Sequence, residues 1–183
     1  MAPPRKPRKI TVLDTHVEYE YNGIVFLADK EDLPLLEKFS WRARRAAKTG
    51  SPKYYLTAQQ TYYVNGKRKL IHFHREVINA PDGLFVDHKS RDTRDNRKSN
   101  LRVCTHSQNM VNVCRKSKLG IRGVQKRKNR RWEAKLKLPN TEHTVVIGRY
   151  DSAAEAVEAY NARALEVNGE FAILSKLPEG FAE

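Results

Sequence analysis

Residues 74–112 read HREVINAPDGLFVDHKSRDTRDNRKSNLRVCTHSQNMVN, and the order of signals within them sets the architecture. Asn79-Ala80-Pro81-Asp82-Gly83 is a turn cluster, because proline fixes φ while asparagine and glycine tolerate left-handed backbone. It introduces a short apolar run, Leu84-Phe85-Val86, which reads as a strand ending on Asp87-His88. A polar loop leads to Asn100-Leu101-Arg102-Val103. A helix then starts near Thr105 to Ser107, either of which can cap it, and runs to about Arg115. Strand, loop and helix in that order can fold back to bring Asp87, His88, Asn100 and Asn109 around one point.

These residue types suit the hydrolysis of a phosphodiester. The reaction needs an activated water, neutralisation of developing charge, and help for the leaving oxygen. A carboxylate and an amide oxygen are hard ligands of the kind magnesium takes, which fits Asp87 and Asn109. An imidazole with a pKa near 6.5 is available as a base at neutral pH, which fits His88. Adjacent strand residues face opposite ways, so joint action of Asp87 and His88 predicts a break in strand geometry there.

The set His74-Arg75-Glu76-Val77, Asp87-His88, Asp95-Asn96-Arg97, Asn100-Leu101-Arg102 and Asn109 resembles the HNH endonucleases, in particular the branch of phage and intron-encoded homing endonucleases. The likeness spans residues 72–112. It implies a ββα-metal finger holding one divalent ion, magnesium with manganese able to substitute. It further implies Asp87 and Asn109 as metal ligands, His88 as the base that activates water, and Asn100 as a residue that orients His88 or braces the loop. His74, Arg75, Asn96, Arg97 and Arg102 form a second tier, with roles divided between buttressing the site and contacting phosphates. Asparagine stands at the third letter of the motif in place of histidine, which leaves the metal preference open.

Outward from this centre, the N-terminal side is rich in strand signals. Val17, Tyr19 and Tyr21 alternate with polar residues before Asn22-Gly23 and Ile24-Val25-Phe26-Leu27, a hairpin pattern. Asp29 is a candidate cap for a short helix with Leu33, Leu36 and Phe39 inward. A second hairpin runs from Tyr54 to Phe73 around Asn65-Gly66, and its tyrosines either pack a sheet face or stack on bases. Residues 1–9 combine three prolines with four basic residues and read as a mobile basic arm.

On the C-terminal side, strands are expected near Gly123 to Lys126, Arg131 to Leu138 and Thr144 to Tyr150. A helix follows, with Ser152 and Glu155 at its start and Asn168-Gly169 at its end. Residues 115–137 hold eleven Lys or Arg against Glu133 alone, a net of +10, whereas residues 151–170 sum to −4. That segregation points to the sheet, rather than the helix, as the surface for a polyanion. Lys116, Lys118, Arg122, Lys126, Arg127, Arg130, Arg131 and Lys135 are the candidate DNA contacts. Trp132 is either a further contact or a core anchor beneath the helix. Arg122-Gly123-Val124, Trp132-Glu133-Ala134, Ile147-Gly148-Arg149-Tyr150, Ala153 to Ala159, Tyr160-Asn161 and Gly169 resemble the DNA-binding domain of plant ethylene-response factors. That likeness implies a three-stranded sheet set in the major groove.

The expected fold class is α+β: a ββα-metal nuclease core with N-terminal β-hairpins, then a small three-stranded antiparallel sheet packed on one helix. The expected organisation is an arm at 1–9, a nuclease domain at 10–115, a linker at 116–120, a DNA-binding domain at 121–175 and a tail at 176–183. A net charge of +14 over 183 residues, with no apolar run of about 18 residues, favours double-stranded DNA over a membrane as partner. No small-molecule cofactor is expected, and the chain reads as a monomer or weak dimer in a bacterial or phage-infected cytosol. Cys104 and Cys114 form no close pair, so they read as thiols rather than as a disulfide or, with His106, as zinc ligands. The alternative from another class is a non-catalytic DNA-binding regulator on a nuclease scaffold, and a structural RNA-binding protein is a third reading.

Overall fold

Strand propensity and Asn-Gly turns dominate the first hundred residues, and a computed structural model shows what they build. It describes residues 8–46, 53–64, 67–112, 119–128, 131–139, 141 and 143–182, without the side chains of 59–64 and 67–69. The chain divides into two compact units, residues 1–104 and 105–183. Both mix helix and sheet, so the fold is α+β.

In the first unit, β1 (Arg8–Val12), β2 (Val17–Tyr21) and β3 (Ile24–Ala28) form an antiparallel sheet. The β2–β3 turn is Asn22-Gly23, both at positive φ, as a two-residue hairpin requires. Arg8 and Lys9 pair with Tyr21 and Glu20, which corrects the expectation that they belong to a mobile arm; residues 1–7 of that arm lie outside the described residues. A short 3₁₀ turn (Lys30–Asp32) leads into α1 (Leu33–Lys38). Asp29 makes no capping hydrogen bond to this turn. Its carboxylate instead accepts the backbone N–H of Lys98 at 2.7 Å.

A second sheet joins β4 (Arg42–Arg45), β5 (Tyr54–Val64) and β6 (Lys67–His72) in that order. The expected Asn65-Gly66 turn lies outside the described residues. Trp41 is fully buried, donates its indole N–H to the Leu35 carbonyl at 3.0 Å, and meets Phe39 and Phe73 edge-on. Such aromatic pairs add about 1 kcal/mol each beyond area burial. Tyr19 donates its hydroxyl to the Trp41 carbonyl at 2.9 Å, which ties the first sheet to this core. The single-turn helix α2 (Phe73–Val77) and the two-stranded ladder β7 (Phe85–His88) and β8 (Leu101–Cys104) complete the unit.

The second unit opens with α3 (His106–Val111). Thr105 caps it in a reciprocal capping box with Gln108. Its remaining elements are β9 (Val124–Lys126), β10 (Trp132–Lys137), β11 (Thr144–Tyr150) and α4 (Ala153–Asn168). The sheet order is β11-β10-β9, all antiparallel. Ser152 accepts the Glu155 N–H at the start of α4, and Ala153, Ala156, Val157, Tyr160 and Ala164 bury against Val124, Trp132, Ala134 and Leu136. Gly123 sits at φ +72°, and a Cβ there would lie 2.1 Å from the Tyr160 ring, so only glycine permits this approach. No helix among the described residues is long and apolar enough to cross a membrane.

Candidate active site

Two antiparallel strands present the central pair. Asp87 lies opposite Arg102, and His88 lies opposite Leu101. Both Asp87 and His88 are 4% exposed. Extended geometry runs through both residues, which corrects the expected break between them; the turn comes later, at Arg91 with φ +67°. Arg102 closes on the Asp87 carboxylate from Nε at 2.9 Å and from a terminal nitrogen at 2.7 Å. Both contacts fall on the same oxygen, Oδ2, which makes this a buried, charge-assisted ion pair.

The loop from Lys89 to Asn100 is held from inside. Asn100 accepts the Ser90 N–H at 2.8 Å on its side-chain oxygen and donates its amide to the Asp95 carbonyl at 2.7 Å. It therefore braces the loop. Asn96 is the side chain that reaches His88: its Oδ1 lies 3.5 Å from His88 Nε2, while its amide donates to the Arg94 carbonyl at 3.0 Å. Asn96 is completely buried. Asp92 and Asp95 each fold back on the arginine two residues on, Arg94 and Arg97. Each pairing holds its carboxyl below the ordinary carboxylate range. The loop is stitched to β3 by Leu27 N–H to the Arg94 carbonyl and Asn96 N–H to the Leu27 carbonyl, both at 2.9 Å.

Behind His88 lies a group of aromatic rings. His74 is 5.3 Å from His88 and 5.4 Å from both His72 and Tyr55, centroid to centroid. Burial pushes the His74 pKa down to about 3, helped by His88, His72 and Arg75. Burial also lowers His88, against the opposing pull of the Asn96 hydrogen bond and of Asp87, Asp95 and Asp92. Both imidazoles are therefore neutral at neutral pH. The Tyr55 hydroxyl is raised by burial and by the Asp87 charge.

Two further arginines of the candidate site, Arg75 and Arg97, are held by protein groups. Arg75 donates to the carbonyls of Leu84, Ala80 and Pro81 at 2.6, 3.2 and 2.9 Å, holding the turn that feeds β7. Arg97 is paired with Asp95 at 2.7 Å. Of the two roles sequence leaves open for Arg75, Arg97 and Arg102, the stabilising one is occupied in each case. One acidic trio converges among the described residues, Asp29, Glu31 and Asp32. Lys98 fills it through an ion pair with Glu31 and a 3.8 Å approach to Asp32, so it is an anchor for the loop. Cys104 is buried, and its thiol is pushed up to about 11 by desolvation.

In the second unit, Asn109 lies on α3, and its N–H donates to the Thr105 carbonyl. Arg122 is turned into its own unit, donating to the Val111 carbonyl at 2.7 Å and the Tyr160 hydroxyl at 3.1 Å. The half-buried Arg122 thereby ties the end of α3 to α4. Of the two roles open to Trp132, burial at 2% exposed agrees with the core anchor, and the exposed Lys126 ammonium lies 5.2 Å from its ring. Arg127, Arg131 and Lys135 stay at the surface of the sheet, near Glu133 (3.7 Å), Asp151 (3.1 Å) and Gln125 (2.9 Å) respectively. Lys116, Lys118 and Arg130 lie outside the described residues. Sequence reading passes over Tyr55, His72, Gln125, Glu133 and Arg149. The alternation of β11 could have marked Arg149 and the spacing of His72 from His74 could have marked His72, whereas Tyr55 meets His74 only through the fold.

Comparison with known proteins singles out the segment that holds Asp87 and His88. Residues 79–111 match the family described as HNH endonuclease. An uncharacterized HNH endonuclease of Acanthamoeba polyphaga mimivirus is 29% identical over 147 residues, covering 79% of this chain and 71% of that protein. No solved structure matches.

Proposed function

We propose that the chain is a metal-dependent DNA endonuclease of the homing type, which nicks or cuts duplex DNA at a directed site. The observation that carries this reading is the adjacent buried pair Asp87 and His88, with His88 kept neutral by burial and met by Asn96. A hydrogen bond donated from Nε2 to the Asn96 oxygen leaves Nδ1 as the lone-pair nitrogen, which takes the proton from the attacking water. Asn100 keeps the loop closed around that base, and His74 with Tyr55 forms its rear wall.

The donor chemistry suits a divalent ion: Asp87 offers a hard carboxylate, and the resemblance assigns Asn109 as the second ligand. Such an ion would neutralise charge at the phosphate and at the departing 3′-oxygen. Arg102 balances the Asp87 charge and fixes its orientation. The basic sheet of the second unit, with Lys126, Arg127, Arg131 and Lys135, is the surface we assign to duplex DNA, and Lys116, Lys118 and Arg130 of the same basic stretch of sequence are assigned as further contacts. Its contribution falls steeply as salt rises.

The test is nicking of supercoiled plasmids carrying random inserts, with magnesium or manganese, comparing wild type with His88→Ala. Nicking by wild type that stops with EDTA and is absent from His88→Ala, while DNA retention persists, is the expected result. Binding without nicking in either metal would replace this reading with a non-catalytic DNA-binding protein.

A further inference from the structure

One row of side chains crosses the second sheet from strand to strand. Register places Arg149 on β11 opposite Glu133 on β10, and Glu133 opposite Gln125 on β9. Trp132, Ala134 and Leu136 bury against α4, so alternation turns Glu133 to the other face. There it is only 5% exposed. Its carboxylate accepts Gln125 Nε2 at 2.9 Å and Arg149 Nε at 3.3 Å, and Arg127 Nε lies 3.7 Å away. Lys135 donates to the Gln125 oxygen at 2.9 Å. Two arginines thus flank one oxygen of the acid, and the neutral Gln125 amide holds the other.

The hydrophobic core has no use for Glu133, because that core lies on the opposite face. A negative charge in the middle of a basic face weakens attraction for a polyanion. Burying a carboxylate is also costly unless it is paired. What Glu133 contributes is aim. It engages the Nε of Arg149, whose side chain remains 57% exposed. The terminal nitrogens of Arg149 carry no hydrogen bond among the described residues. The result is a guanidinium fork whose stem is fixed on a strand and whose paired donors face outward. Phosphate contacts need little aim and carry no sequence information. A fixed pair of parallel donors matches the O6 and N7 acceptors of guanine in the major groove, the commonest specific arginine contact.

We infer that Arg149, held in place by Glu133, reads the edge of a guanine, which makes this pair a specificity determinant of the second unit. The inference rests on the assignment of this sheet to duplex DNA made above. Gln125 completes the arrangement by holding the far side of the carboxylate and relaying it to Lys135.

The test uses the full chain in EDTA, so that bound duplexes are not cut, and selects from a pool of random-sequence duplexes. Binding of the enriched duplex is then compared with copies in which each guanine pair is replaced. Wild type should enrich a fixed guanine whose replacement costs about tenfold or more in affinity. In Arg149→Lys and in Glu133→Gln that discrimination should fall to near onefold. Affinity for an unrelated duplex should change by less than about threefold, because the charge of the face is retained or increased. Trp132 fluorescence monitors folding, and the exposed Arg149→Lys decides alone if Glu133→Gln unfolds. Retention of the guanine preference by Arg149→Lys overturns the inference. So does duplex binding by wild type without any selected guanine, although the DNA assignment then survives. Failure of wild type to retain any duplex removes the DNA assignment itself.

Discussion

Replacing His74 with leucine removes one buried imidazole from the wall behind His88, and its effect should grow as the solution is acidified. In an unfolded chain His74 titrates near 6.5, whereas in the folded chain it stays neutral down to about 3. Between those limits the unfolded chain binds a proton that the folded chain refuses, so stability falls with falling pH. The loss begins near pH 6.5 and stops below about 3. At pH 5.0 the group lies about 1.5 units under its unfolded value. At about 1.4 kcal/mol per unit, this costs the wild type about 2 kcal/mol relative to neutral pH. His72 and His88 are also lowered by burial and act in the same direction, so the difference between wild type and variant isolates His74. The assay is urea unfolding at pH 7.5 and 5.0, followed at Trp41 in a Trp132→Phe background, since the chain has two tryptophans. The His74→Leu protein should lose about 2 kcal/mol less than its parent across that interval. Equal losses in the two proteins would refute the account, because His74 would then protonate in the folded chain at its ordinary pH.

Other perturbations test separate parts of the site. Arg102→Met removes the partner of a buried carboxylate and should cost about 3 kcal/mol in urea unfolding, with partial recovery when Asp87→Asn is added; no recovery in the pair would argue against coupling of these charges. Asn100→Ala should cost about 2 kcal/mol and speed hydrogen exchange at the Ser90 amide, and an unchanged Ser90 rate would remove Asn100 as the brace. Gly123→Ala meets both positive φ and the Tyr160 ring, so it should destabilise the second unit by at least about 2 kcal/mol. A Trp132-reported midpoint that does not move would show that Tyr160 yields easily.

Local signals are enough wherever one segment satisfies itself. The hairpin around Asn22-Gly23, the run into Asp87-His88 and the capped helix after Ser152 follow from alternation, turn chemistry and capping. What escapes them are elements defined by distant partners. The strand Arg42–Arg45 shows no apolar alternation and exists because it pairs with Tyr54 to Thr57. Asp29 has the composition of a helix cap, yet its carboxylate serves a backbone amide 69 residues away. Within the site, residue types and order single out Asp87, His88 and Asn100 as candidates. They do not reveal that Asn96, rather than Asn100, is the side chain beside His88. Both are asparagines of one short loop, and only the stitching of that loop to β3 separates their tasks. Charge and aromaticity single out Arg122 and Trp132, but neither property tells whether a side chain turns inward.

That stitching has a second consequence, for solubility. β3 is an outer strand of its sheet, and outer strands with unpaired N–H and C=O groups invite pairing between molecules. Here Arg94 and Asn96 occupy the Leu27 amide and carbonyl. Substitutions that loosen the loop therefore uncover a strand carrying the sequence Ile24-Val25-Phe26-Leu27, an aggregation-prone segment. Inactive loop variants of this protein should accordingly be sorted by their yield of soluble monomer before any defect is credited to chemistry.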